Sequence, residues 1–153
     1  MNYWLMKSEP DEVSIDDLAA CPEQTVGWYG VRNYQARNFM RDKMQLGDRV
    51  FFYHSSCKEP GIAGLAKVDS CAYPDPTQFD TRSEYFDSKS TQESPRWQQV
   101  DVRFIQKTRL LSLNELRGYP ELAEMLLLKK GSRLSITPVA AQDAAFILEK
   151  LAC

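Results

Sequence analysis

Long apolar runs are missing from these 153 residues. No stretch approaches the roughly 18 consecutive apolar residues of a membrane helix, so no spanning segment is expected. The opening Met1-Asn2-Tyr3-Trp4 carries no basic stretch of the kind that begins a signal peptide, and the expectation is a cytoplasmic protein, or a nuclear one in a eukaryotic host. Cysteines are few: Cys21, Cys57, Cys71 and Cys153 show no CxxC spacing, and a chain of this size buries a core without covalent staples, so reduced thiols are expected. The single histidine, His54, supplies with Cys57 at most two metal ligands, so neither a metal nor another cofactor is expected. Catalytic signatures are absent as well, with no GxSxG, no HExxH and no phosphate-cradling glycine loop. His54 and Ser55 are strand neighbours that point to opposite faces, a poor arrangement for sharing a proton.

What is present fits one globular domain spanning 1–153, with 43% hydrophobic and 26% charged residues. The net charge of −2 argues against holding a phosphate backbone by bulk electrostatics. The charges are nevertheless segregated: residues 1–27 carry −5, 28–58 carry +4, 59–95 carry −4, 96–133 carry +4 and 134–153 carry −1. Two readings fit this pattern. Either the positive blocks meet in space and form one cationic face, or they are separated as ordinary solvated surface.

Tyr3 to Lys7 reads as a strand, and Ser14 with Asp17 as a capping box opening a short helix. Asn33 to Met40 reads as a partly buried helix capped by Asn33. Arg49 to His54 is apolar on both faces and is expected to be a central strand covered on both sides. Ile62 to Val68 should pair with it, Gly64 marking a bulge or a close approach by another element. Gln98 to Gln106 is the third long strand, and these three are expected to form the sheet's centre. Ser112 opens a second short helix, Leu122 to Leu128 a further one, Ser132 to Ile136 a strand, and Ala141 to Leu151 a terminal helix facing inward through Ala145, Leu148 and Leu151. The aromatic-containing loop 69–95 is expected to pack back on the body. Short strands with helices between them, in no βαβ rhythm, point to an α+β fold, a small mixed barrel or curved sheet.

The polar end of the strongest strand places Tyr53, His54 and Ser55 at a barrel mouth, a set of groups that suits recognition of a base edge. Trp28 and Trp97 lie in loops with polar neighbours and offer stacking surfaces, worth roughly 1 to 3 kcal/mol per base. The same two tryptophans could equally plug the ends of the core.

Tyr3-Trp4-Leu5-Met6-Lys7-Ser8-Glu9-Pro10, Gly30-Val31-Arg32-Asn33-Tyr34-Gln35-Ala36-Arg37-Asn38, Phe52-Tyr53-His54-Ser55, Ala72-Tyr73-Pro74-Asp75-Pro76, Pro95-Arg96-Trp97 and Gly131-Ser132-Arg133-Leu134-Ser135 fall in that order along residues 3 to about 148. Together they resemble the EVE domain family of the PUA-like superfamily, relatives of YTH domains. The resemblance implies a PUA-like small mixed β-barrel with peripheral helices, and a binder of DNA or RNA that reads a modified base. It implies a base pocket lined by Lys7, Ser8, Trp28, Asn33, Tyr53, His54, Ser55 and Trp97, with Arg32, Arg37 and Arg96 on phosphates. No catalytic residue, cofactor, metal or membrane is implied, and a monomer is the expected state. Tyr29 departs from the family pattern, which has an acidic residue there; Ala140 stands where a hydroxyl often caps the last helix. Two other functions compete with the base reader: a small enzyme acting on a nucleobase or acyl group with His54 as base, and a protein-interaction domain.

Overall fold

The computed structural model describes residues 1–129 and 133–152. The chain begins as a strand, β1 (Tyr3–Ser8), and turns at Pro10 into a helix, α1 (Ile15–Ala20). The Ser14 hydroxyl accepts from Asp17 N at 3.0 Å and the Asp17 carboxylate accepts from Ser14 N at 2.9 Å, the reciprocal box expected of this spacing. A short strand, β2 (Thr25–Gly27), leads to α2 (Tyr34–Asn38), whose Asn33 side chain accepts from Ala36 N at 3.0 Å. A wider turn, Phe39–Lys43, continues α2 before β3 (Arg49–His54) and β4 (Gly61–Val68). Two-residue strands β5 (Tyr73–Pro74) and β6 (Gln98–Gln99) pair with each other and clasp the base of the long loop. Then come β7 (Asp101–Ser112), α3 (Leu113–Arg117), β8 (Ile136–Val139) and α4 (Ala141–Leu151).

The main sheet has the order β2-β7-β4-β3-β1-β8, with β1 parallel to β3 and every other neighbour antiparallel. Register shifts between β3 and β4, and twice between β4 and β7, curl it into a half-barrel flanked by a few helices, the α+β PUA-like form expected. Both faces are covered, which is why β3 is apolar throughout. Trp4, Met6, Val50 and Phe52 face one core with α1 and α2, while Leu5, Phe51 and Tyr53 face a second core with α3 and α4. Gly64 lies where the sheet meets α1: a Cβ there would stand 2.5 Å from Ile15 Cδ1, so only a glycine lets the helix seat.

Several boundaries differ from expectation. The third long strand is β7, which starts three residues after Gln98 because Gln98 and Gln99 pair instead with the loop, and runs on past Gln106 to Ser112. Leu122–Leu128 is not one helix but two 3-10 turns, Pro120–Leu122 and Leu126–Leu128. Met125 is extended between them, and buried Leu127, only two residues after buried Met125, breaks the helical period. The strand expected over Ser132–Ile136 is β8, which starts at Ile136 and runs through Pro138; its edge position tolerates the missing N–H. Residue 132, with the Gly131-Ser132 part of the last motif, lies outside the described residues. In α4 the buried positions are Asp143, Ala144 and Ile147; Leu148 and Leu151 pack partly buried against the second core, as expected, and Ala145 is exposed. The loop 69–95 does pack back on the body, through Asp75 and Gln78, both sealed from solvent.

Candidate functional site

Because β1 and β3 run parallel, their C-terminal ends arrive side by side, Ser8 opposite His54, and Ser55 N donates to Ser8 O at 3.0 Å. Facing them, β2 ends at Gly27, and Trp28 N is pinned to Val100 O at 2.8 Å. Between these edges lies a cleft of about 400 Å³, within the range of small-ligand sites. Lys7, Ser8, Glu9, Glu12 and Val13 form one wall, Val26 to Arg32 the other, and Ser55, Ser56, Arg133 and Ser135 the floor and rim, with Tyr85 from the long loop closing one side.

The far wall is held by one carboxylate. Asp75, fully buried, accepts from Gly30 N at 2.8 Å and Arg32 Nη1 at 3.1 Å, and from Thr77 N at 2.8 Å and Thr77 Oγ1 at 2.6 Å. Gly30 takes φ +82°, a left-handed conformation, and the Tyr85 ring lies so close that a Cβ would meet its Cζ at 2.8 Å. Arg32 also donates through Nε and Nη2 to Tyr85 O at 3.1 and 2.7 Å. Its guanidinium, expected on phosphate, is committed to protein acceptors and braces the wall.

The Tyr85 hydroxyl donates to Glu12, 2.7 Å from Oε1 and 2.8 Å from Oε2, and its ring meets Tyr29 edge-on at 5.8 Å. Burial first, and Glu12 second, push the Tyr29 phenol up to about 12; the Tyr85 phenol is raised by burial and by its bond to Glu12. Both remain protonated donors at neutral pH. Position 29 lacks the acidic group the family pattern led us to expect, but Glu12 brings a carboxylate to the same cleft from the other wall.

Lys7 Nζ and Trp28 Nε1 are two of the donors on this cleft with no protein acceptor among the described residues. Of the three indoles, Trp4 Nε1 donates to Asp48 at 3.0 Å and Trp97 Nε1 to Asp87 at 2.8 Å, whereas Trp28 Nε1 has no partner. It is not one of the sealed unpaired atoms, which are Gln99 Oε1 and Thr137 Oγ1 among the described residues, so it keeps access to solvent, and its residue lines the cleft. The Lys7 ammonium, half-buried, also has no ion pair or hydrogen bond; burial lowers its pKa. The Ser8 hydroxyl donates to Val13 O at 2.6 Å and keeps its acceptor lone pairs.

Lys7, Ser8, Trp28 and Ser55 thus come together at the cleft, and four other expected pocket residues stand apart from its walls. Tyr53 is 2% exposed and turned into the second core, since strand alternation sends it to the face opposite Phe52. Asn33 uses its side-chain oxygen as the α2 cap. Trp97 lies beneath Tyr34, its rings stacked at 4.8 Å. His54 meets Phe52 edge-on at 5.7 Å, and its Nε2 accepts from Ile15 N at 3.1 Å. Of the expected phosphate ligands, Arg37 donates to Arg96 O at 2.8 Å, and Arg96 lies 3.9 Å from Asp87. That contact joins the two positive blocks of the sequence. Residue pattern alone did not single out Glu12, Tyr29, Gly30 or Tyr85 as cleft walls; the detectable signal was Gly30, inside a motif with no turn composition around it.

The accepting Nε2 requires His54 to stay neutral, and desolvation by burial lowers its pKa below the ordinary value. The unfolded chain therefore takes up a proton first as pH falls below about 6.5. This contribution to stability is complete above that pH and is lost downward, toward the folded pKa. As His54 is the only histidine, the wild-type melting temperature should drop between pH 7 and pH 5 more than that of His54→Gln. Equal drops in the two proteins would contradict the neutral, accepting imidazole.

Comparison with known proteins bears on this cleft. A family model, the EVE domain, matches residues 2–150. Human thymocyte nuclear protein 1 is 46% identical over 165 aligned positions, covering 96% of this chain and 72% of the relative. Among solved structures, human THYN1 in complex with 5-methylcytosine-containing DNA superposes with a TM-score of 0.92 at 44% identity, over 100% of this chain and 99% of that one. A Pseudomonas putida protein superposes with a TM-score of 0.91 at 51% identity, over 96% and 97% of the two chains.

Proposed function

The chain belongs to the EVE domain family, and from that premise we propose that it is a nucleic-acid-binding module of one domain that takes a modified base into the cleft beside Trp28. The observation that carries this reading is the pair of donors, Lys7 Nζ and Trp28 Nε1, left unpaired on one aromatic-walled cleft. Donors that reach water in the free protein and have no protein acceptor are available to a ligand, each hydrogen bond contributing about 0.5 to 1.5 kcal/mol, or more from the charged ammonium. A base edge supplies carbonyl and ring-nitrogen acceptors for them, and an exocyclic amino group would meet the Glu12 carboxylate. The DNA in the human complex carries 5-methylcytosine, a base with that set of groups. We propose the same class of ligand here.

In this reading the module binds and does not catalyse. His54, the residue an enzyme would use as base, has its acceptor nitrogen taken by a backbone N–H. Arg37 and Arg96 remain the proposed phosphate contacts, and Arg32 acts through the wall it braces. The name of the curated relatives favours the nucleus of a eukaryotic host, with the cytoplasm as the location elsewhere.

The test is a titration of the purified protein with oligonucleotides carrying one 5-methylcytosine or one cytosine, in DNA and RNA, on wild type and Lys7→Met. Affinity for the modified strand should fall about 10-fold or more in the variant, since bonds from charged donors contribute roughly 1.5 to 3 kcal/mol. Its melting temperature should be unchanged or higher, because a half-buried ammonium has been removed. Equal affinities for wild type and Lys7→Met would refute the cleft as the site.

A further inference from the structure

Outside the cleft, one aromatic surface is neither core nor solvated loop. Tyr34, on the first turn of α2, is 51% exposed, and its inner face stacks on Trp97 at 4.8 Å and 21°. Trp97 is a rigid backing. Its Nε1 is held by Asp87 at 2.8 Å, its N donates to Gln78 Oε1 at 3.0 Å, and its carbonyl accepts from Gln78 Nε2 at 2.8 Å. The Arg37 guanidinium lies 4.7 Å from the Tyr34 centroid and 6.0 Å from that of Trp97. On the far face of Tyr34 it would stand from Trp97 by nearly the two other separations combined, so it flanks the stack and leaves the outer face of Tyr34 open. Arg37 is held by neutral acceptors, Arg96 O at 2.8 Å and Asn38 Oδ1 at 3.1 and 2.8 Å, and no carboxylate ion-pairs with it among the described residues. This platform adjoins the cleft through a single side chain: Arg32 stands 5.6 Å from the Tyr85 ring on the cleft and 5.3 Å from the Trp97 ring beneath Tyr34.

We infer that the open face of Tyr34, backed by Trp97 and edged by Arg37, stacks the base next to the one taken into the cleft, with the Arg37 guanidinium on the phosphate between them. The inference rests on the base-binding reading above. A pre-stacked ring loses little freedom when a base settles on it, and every base has a π-face, so this contact supplies affinity without reading sequence. Selectivity stays with the cleft.

The test uses a nine-nucleotide single strand with one central 5-methylcytosine, as DNA and as RNA, and versions with an abasic residue at either neighbour. Wild type should bind one of the abasic versions roughly 5- to 150-fold more weakly than the intact strand, the range of one base on one aromatic ring. Tyr34→Ala should show that loss on the intact strand and be indifferent to the same abasic residue, and Tyr34→Phe should bind as wild type does. If neither abasic residue weakens wild-type binding, or if Tyr34→Ala loses equally on intact and abasic strands, the platform is refuted. The wild-type arm needs no variant to fold. Loss of binding in Lys7→Met with none in Tyr34→Ala would overturn the platform alone. Failure of folded wild type to bind any of the strands would overturn both it and the base-binding reading.

Discussion

Asp75→Ala is expected to lower the stability of the protein by about 3 to 5 kcal/mol, the usual result of removing one member of a buried ion pair. For a chain of this length that corresponds to roughly 10 °C in melting temperature. The size follows from what the carboxylate holds. It is fully buried and takes donors from Gly30, Arg32 and Thr77, joining loops more than 40 residues apart in sequence. Without it the Arg32 guanidinium, 22% exposed, keeps Tyr85 O and Thr77 Oγ1 but loses its ion-pair partner. Gly30 loses the anchor of its left-handed turn. Binding of a 5-methylcytosine oligonucleotide should fall with stability, because the Val26 to Arg32 wall and Tyr85 are set by this carboxylate. Calorimetric unfolding at pH 7 measures the first effect. A shift under 1 kcal/mol would mean that Asp75 is not the clamp.

Trp28→Ala should be the second large loss, about 3 to 5 kcal/mol of stability as well as the binding site. Trp28 is 7% exposed, sits in the core shared by Trp4, Met6 and Val31, and meets Phe52 edge-on at 5.5 Å. The residue is both plug and wall, so truncation to Ala cannot separate the two roles. Trp28→Phe can. It retains part of the packing, at a cost of about 1 to 2 kcal/mol for the smaller ring, and removes the indole N–H with part of the ring. Affinity for the modified strand should then fall roughly 10-fold while the melting temperature stays within a few degrees of wild type. Unchanged affinity in Trp28→Phe would show that Nε1 does not meet the ligand.

The features that were legible in the sequence are those whose physics is local. The Ser14 and Asn33 caps depend on atoms three residues apart. The two-sided apolarity of Arg49–His54 marks a central strand because no solvent face is spared, and Gly64 marks the seat of a helix because it has no Cβ to offer Ile15. The family motifs were equally plain. What they did not reveal was which motif residues face the ligand. Tyr53 and Ser55 lie two apart, but β3 ends at His54, so the alternation that turns Tyr53 into the second core does not extend to Ser55 on the cleft. Trp97 and Trp28 looked alike as loop tryptophans. Asp87 satisfies one indole, and no acceptor among the described residues satisfies the other.

By itself, then, the sequence determined the capped helices, the apolar strands, the absence of a long apolar span and the family. Only the tertiary structure decided that Arg32 is a brace, that Glu12 brings a carboxylate to the cleft that Tyr29 lines, and that Lys7 and Trp28 share one cleft with no acceptor for either donor among the described residues. The physical reason is range. Caps and periodicity are settled within one turn or one strand, whereas whether a polar group is free or taken depends on partners such as Asp75 and Tyr85, which lie 43 and 53 residues from Arg32 and reach it only when the sheet curls.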